Sequence, residues 1–164
     1  MKKSLILMNP IILLCVLLIL AFWFTDVKAE TNASFSKGQT VYVPVYSHIY
    51  SGDREAPFYL TATLSIRNTD PKHSITITLV DYYDSNGKVL VSYLKAPVNV
   101  GAMASIRYVV KTSDKAGGSG ANFIVKWESN AKVNSPIIES IMIGTQSKQG
   151  VSFTSRGKVI EEKR

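Results

Sequence analysis

The alternation of apolar and polar residues constrains this chain more than anything else in it. Phe58, Leu60, Ala62, Leu64 and Ile66 alternate with Tyr59, Thr61, Thr63, Ser65 and Arg67. A period of two places one set on one face of an extended strand and the other set on the opposite face. The same period recurs from Thr40 onward. Val41, Val43, Val45 and Ile49 share one side; Tyr42, Pro44, Tyr46, His48 and Tyr50 share the other. Ile75, Ile77 and Leu79 alternate with Ser74, Thr76 and Thr78, and Phe123, Val125 and Trp127 fall on one face. Further strands are expected at residues 88–94, 105–111, 137–143 and 151–155. No amphipathic helix of useful length follows residue 30.

The punctuation agrees. Asn68-Thr69-Asp70-Pro71 reads as a loop, because Asx side chains bond the local backbone and proline fixes φ. Asn86-Gly87 reads as a hairpin turn, because both residues tolerate positive φ. Residues 114–120 read as a flexible glycine-rich loop, and residues 156–164 as a charged, frayed tail. Pro44 lacks an N–H, so its strand is expected at a sheet edge or bulged. By parity Asp81 follows the apolar face and calls for a partner such as Arg67 or Arg107. Short strands with turns every 8–12 residues predict an all-β fold: an immunoglobulin-like two-sheet β-sandwich of seven to eight strands. A closed barrel is the alternative.

The amino end has a different character. Lys2 and Lys3 precede an apolar run from Leu5 to Phe24, broken by Asn9-Pro10. Its unbroken part, from Ile11, is 14 residues, which as a helix spans about 21 Å against about 30 Å of hydrocarbon. Val27-Lys28-Ala29 then supplies a cleavage site. The expected organisation is a signal peptide (or uncleaved membrane anchor) at 1–29, a flexible segment at 30–38, the sandwich at 39–155 and the tail at 156–164. The expected location is periplasmic or secreted, with membrane association only if residues 5–24 are retained. Cleavage removes Lys2, Lys3, Lys28 and Asp26, leaving 16 basic and 11 acidic residues and a net charge of +5. It also removes Cys15, the one cysteine, so no disulfide can staple the fold. The basic residues are scattered without a block or helical stripe, which argues against nucleic acid as a partner.

No catalytic set is legible. There is no G-x-S-x-G, no H-E-x-x-H and no cysteine nucleophile after residue 29. His48 and His73 are the only histidines and have no paired metal spacing, so neither metal nor cofactor is expected. Gly117-Gly118-Ser119-Gly120 precedes no Lys-Ser/Thr and no helix, which argues against a phosphate cradle. Trp127 reads as core. The most suggestive feature is the aromatic stripe of the first strand with the polar loop after it. Tyr42, Tyr46, His48, Tyr50, Asp53 and Arg54 are the candidate binding residues, because clustered exposed rings stack on sugars or extended peptide.

Three segments carry a resemblance: residues 41–50 (VYVPVYSHIY), 65–70 (SIRNTD) and 120–127 (GANFIVKW). They resemble a small family of exported bacterial proteins catalogued as a domain of unknown function, over roughly residues 39–155. The resemblance implies a bacterial, periplasmic, single-domain protein and brings no activity, catalytic residue or cofactor. The expected function is that of a non-catalytic binding or adaptor module of the cell envelope, with a protein or glycan partner. One alternative is an envelope hydrolase using His48 with Asp53 or Asp81. Another is a self-assembling structural or secretion component.

Overall fold

Period-two patterning is realised as strands throughout. The computed structural model describes residues 35–146 and 149–163, and every regular element among them is a strand. In chain order these are β1 (Phe35–Pro44), β2 (His48–Ser51), β3 (Ala56–Tyr59), β4 (Thr61–Arg67), β5 (Ile75–Tyr83) and β6 (Val89–Ser92). They continue with β7 (Val98–Val100), β8 (Ser105–Val110), β9 (Asn122–Asn134), β10 (Ile137–Gln146), β11 (Gln149–Arg156) and β12 (Lys158–Glu162). One sheet has the order β12-β1-β9-β5-β6, with β7 also on β5. A second has the order β11-β10-β4-β8, and β2 and β3 form a hairpin apart from both. The expected leader at 1–29 lies outside the described residues.

The two larger sheets share one interior, as a sandwich requires. The first contributes Val41, Val43, Ile75, Ile77, Tyr82, Phe123 and Val125; the second contributes Ala62, Leu64, Ile66, Ile138 and Met142. Each valine, leucine, isoleucine, phenylalanine or methionine among them stabilises the fold by about 1.5–3 kcal/mol on burial. Trp127 is 2% exposed, in the core. The Asn86-Gly87 turn joins β5 to β6, with Gly87 at φ 80° and the Asp84 carboxylate accepting from the N–H of Asn86 and Lys88.

Among the described residues twelve strands stand where seven or eight were expected, and the differences have local causes. Residues 35–38, expected in a flexible lead-in, open β1, because β9 runs on to Asn134 and pairs with Phe35 and Ser36. The tail expected to fray from 156 instead turns at Gly157 and returns as β12 on β1. Of the two readings of the first strand, the edge one is corrected, since β1 lies between β12 and β9, and the bulged one holds, with register shifts between Thr40 and Val41 against β12 and between Ser36 and Gly38 against β9. Pro44 is tolerated because β12 pairs no further along β1 than Tyr42. The carbonyl of Pro44 accepts from Ser140 of the second sheet.

Asp81 also departs from its parity. A β-bulge between Ile77 and Leu79 shifts the register of β5, so Val80 and Tyr82 point inward and Asp81 outward. Arg67 and Arg107 lie on the other sheet, and no ion pair joins either to Asp81 among the described residues. The glycine-rich loop is pinned rather than flexible. Ser85 Oγ donates to the Gly117 carbonyl and accepts from the Gly120 N–H, each at 3.0 Å.

Candidate contact surface

Ser47 organises the region. It is fully buried, and its Oγ donates to the Gly118 carbonyl at 3.1 Å and accepts the Gly118 N–H at 3.0 Å. Its carbonyl accepts the Leu60 N–H at 2.9 Å, which closes the base of the β2–β3 hairpin. One residue therefore fixes both the hairpin and the loop that follows β8. At the far end, Gly52 (φ 66°) and Glu55 (φ 50°) make the turn, and the Glu55 N–H donates to the Gly52 carbonyl at 3.1 Å. Asp53 and Arg54 sit exposed at its tip.

Alternation along β2 puts His48 and Tyr50 on one face, and the register sets Tyr59 directly across from His48. The His48 ring meets Tyr50 edge-on, with centroids 5.2 Å apart, and Tyr59 at 6.0 Å. Lys115 Nζ lies 5.0 Å from the centre of the Tyr59 ring, within cation–π range. Tyr50 is 56% exposed. The outcome is a projecting aromatic face with one cation at its side. Such a face offers ring surface for stacking and polar tips for hydrogen bonds.

The predicted stripe is thus divided. His48 and Tyr50 stay together. Tyr46 is half-buried and packs edge-on against Phe153 of β11, centroids 5.7 Å apart. Tyr42 is half-buried within β1, across from Lys158 and Ile124. Tyr59 and Lys115 complete the cluster and were not singled out in the sequence. The outward parity of Tyr59 was readable; its pairing with His48 was not, because hairpin register depends on the turn.

His48 Nδ1 lies 3.3 Å from Ser47 Oγ, but that hydroxyl is engaged with the Gly118 backbone inside the protein. No hydrogen bond or ion pair joins His48 to Asp53 or Asp81 among the described residues. No group of three metal-ligating side chains occurs among them.

The chain matches, over residues 38–160, a family described as a protein of unknown function, DUF3124. It belongs to the DUF3124 family. The match runs from within β1 to the middle of β12, so it takes in the Gly157 corner and the first residues of the returning strand. Membership brings no catalytic assignment. No curated protein matches the chain. A solved structure, the crystal structure of Thermotoga maritima 1070, is similar at 13% identity and a TM-score of 0.46, covering 76% of this chain and 97% of that one.

Proposed function

We propose that this DUF3124 member is an exported, non-catalytic binding module of the bacterial cell envelope, working through the β2–β3 hairpin. The observation that carries this is the His48–Tyr50–Tyr59 cluster with Lys115 beside it, raised on a hairpin outside both main sheets. Rings already held against one another give up little side-chain freedom on binding, so contact there costs less ordering entropy. The partner is a protein or a glycan of the envelope. The basic start, the apolar run and Val27-Lys28-Ala29 support export, and neither a cofactor nor a nucleic acid enters this reading.

The experiment compares wild type with a His48→Ala plus Tyr50→Ala variant, each captured from envelope extract and screened on bacterial glycans. Both side chains are partly or largely exposed, so the variant keeps its melting temperature within a few degrees. At least one partner retained by wild type is lost from the variant. An identical set of partners and glycans for both proteins sinks the assignment.

A further inference from the structure

The SIRNTD segment plays no part in the hairpin, yet it builds a second feature on the outer face of the four-stranded sheet. Ser65 and Arg67 of this segment line a groove, and Asn68 and Asp70 hold the groove's wall. Ser65 and Arg67 point outward from β4, and the register places Arg107 of β8 directly across from Ser65 and Ser105 across from Arg67. The two arginines are therefore diagonal neighbours, about 7–8 Å apart at the backbone. With Thr63 and Met103 they line a groove of about 440 Å³.

Asn68 and Asp70 fix the opposite wall. The Asn68 side-chain amide donates to the carbonyls of Val100 and Gly101, and its backbone N–H donates to that of Ala104. The Asp70 carbonyl accepts the Met103 N–H at 3.1 Å. Met103 is held at φ 58°, a left-handed conformation costly for a side chain of its kind, and is 69% exposed over the groove. The groove is thus built on a rigid strand pair and a tied loop.

Its chemistry is one-sided. No carboxylate lines it, and neither guanidinium has an ion pair among the described residues. Arg67 Nε donates to Ser65 Oγ at 3.1 Å, which steadies its planar fork. Glu139 stands across from Ser65 on β10, where Arg156 of β11 is its other cross-strand neighbour. Two guanidiniums and the hydroxyls of Thr63, Ser65 and Ser105 offer more donors than the two oxygens of one carboxylate can accept. A tetrahedral oxyanion with three free oxygens matches that set.

We infer that the Arg67–Arg107 groove is a binding site for a phosphate group, carried either by a soluble compound or by a lipid headgroup. The test titrates the full chain with inorganic phosphate by calorimetry at low ionic strength. Binding is saturable, and Arg67→Gln and Arg107→Gln each weaken it about tenfold or more. Both side chains are exposed, so both variants melt near wild type, while Lys126→Gln on the other sheet binds as wild type does. Vesicles of phosphatidylglycerol in phosphatidylcholine then separate the sources. Sedimentation that needs both arginines and is competed by inorganic phosphate assigns the group to a lipid headgroup. Phosphate binding without sedimentation assigns it to a soluble compound. Absence of saturable phosphate binding, or affinities that neither arginine variant alters, overturns the inference.

Discussion

Gly117 packs against the Tyr82 hydroxyl. A Cβ added there would meet that oxygen at 1.8 Å and the ring carbon bearing it at 2.7 Å. Tyr82 is itself fully buried, its Oη has no hydrogen-bond partner among the described residues, and burial, with Asp114 a smaller cause, raises its phenol above the usual range. The ring cannot yield without disturbing Phe123, 5.2 Å away by centroid. Gly117→Ala therefore destabilises the protein by about 1–3 kcal/mol, read as a lower urea midpoint. Adding Tyr82→Phe removes the closest clash and recovers part of the loss. A glycine-rich run looks like slack in a sequence; here the missing side chain is what the neighbouring phenol requires.

Asp70 is the other residue whose role exceeds its local pattern. Its carboxylate accepts the N–H of Lys72 and His73, each at 2.9 Å, and that of Asn134 at 3.2 Å. These bonds, led by Lys72 and then His73, lower its pKa from 3.8 to about 2. The charged form is thus favoured in the folded state. The stability this supplies is fully present above pH 4 and is lost as pH falls toward 2. Between those limits the wild-type urea midpoint falls more steeply than that of Asp70→Asn, which starts lower at neutral pH. Parallel slopes for the two proteins contradict this assignment. The Asx loop signal was legible in the sequence, but the reach to Asn134, 64 positions away, was not.

At the scale of elements, the C-terminal corner decides the sheet order. The Gly157 N–H donates to the Ile138 carbonyl at 2.8 Å, and an added Cβ would sit 2.6 Å from a methyl of Val41. The chain thereby passes from β11 in one sheet to β12 in the other within a single residue. β12 adds side-chain bonds from Thr40 Oγ1 to Glu161 and from Gln39 Nε2 to Glu162, both 2.9 Å. Removing residues 158–164 strips β1 of this partner and lowers stability by about 2 kcal/mol or more, at about 0.5–1.5 kcal/mol for each lost hydrogen bond. The bared strand edge also promotes concentration-dependent association, visible by light scattering. Retained stability and a monomer at all concentrations sink this view of β12. The strand was hidden in the sequence because all five residues are exposed and show no inward face. The β5 bulge was hidden for a related reason: one extra residue changes which side chains point inward without changing the composition.

For the whole molecule, the alternation in β4, β9 and the first half of β5 was enough to foresee two layers over one dry core. What alternation does not encode is which strands lie side by side. The candidate site fell in that gap. His48 and Tyr50 were legible as neighbours on one strand face, whereas Tyr59 and Lys115 join them only through a hairpin register and a loop held by Ser47. Tyr46 was drawn away by Phe153, a partner more than 100 positions further on. In the proposed function, the sandwich is the rigid base that presents this hairpin to an envelope partner. The most direct measurement places a photo-crosslinking residue at Tyr50 of the full chain in bacterial cells, with Thr78 on the outward face of the six-stranded sheet as the comparison. The account predicts a discrete adduct from position 50 that is absent from position 78 and disappears when His48→Ala and Lys115→Ala are added. No adduct from position 50, or the same adducts from both positions, would contradict it.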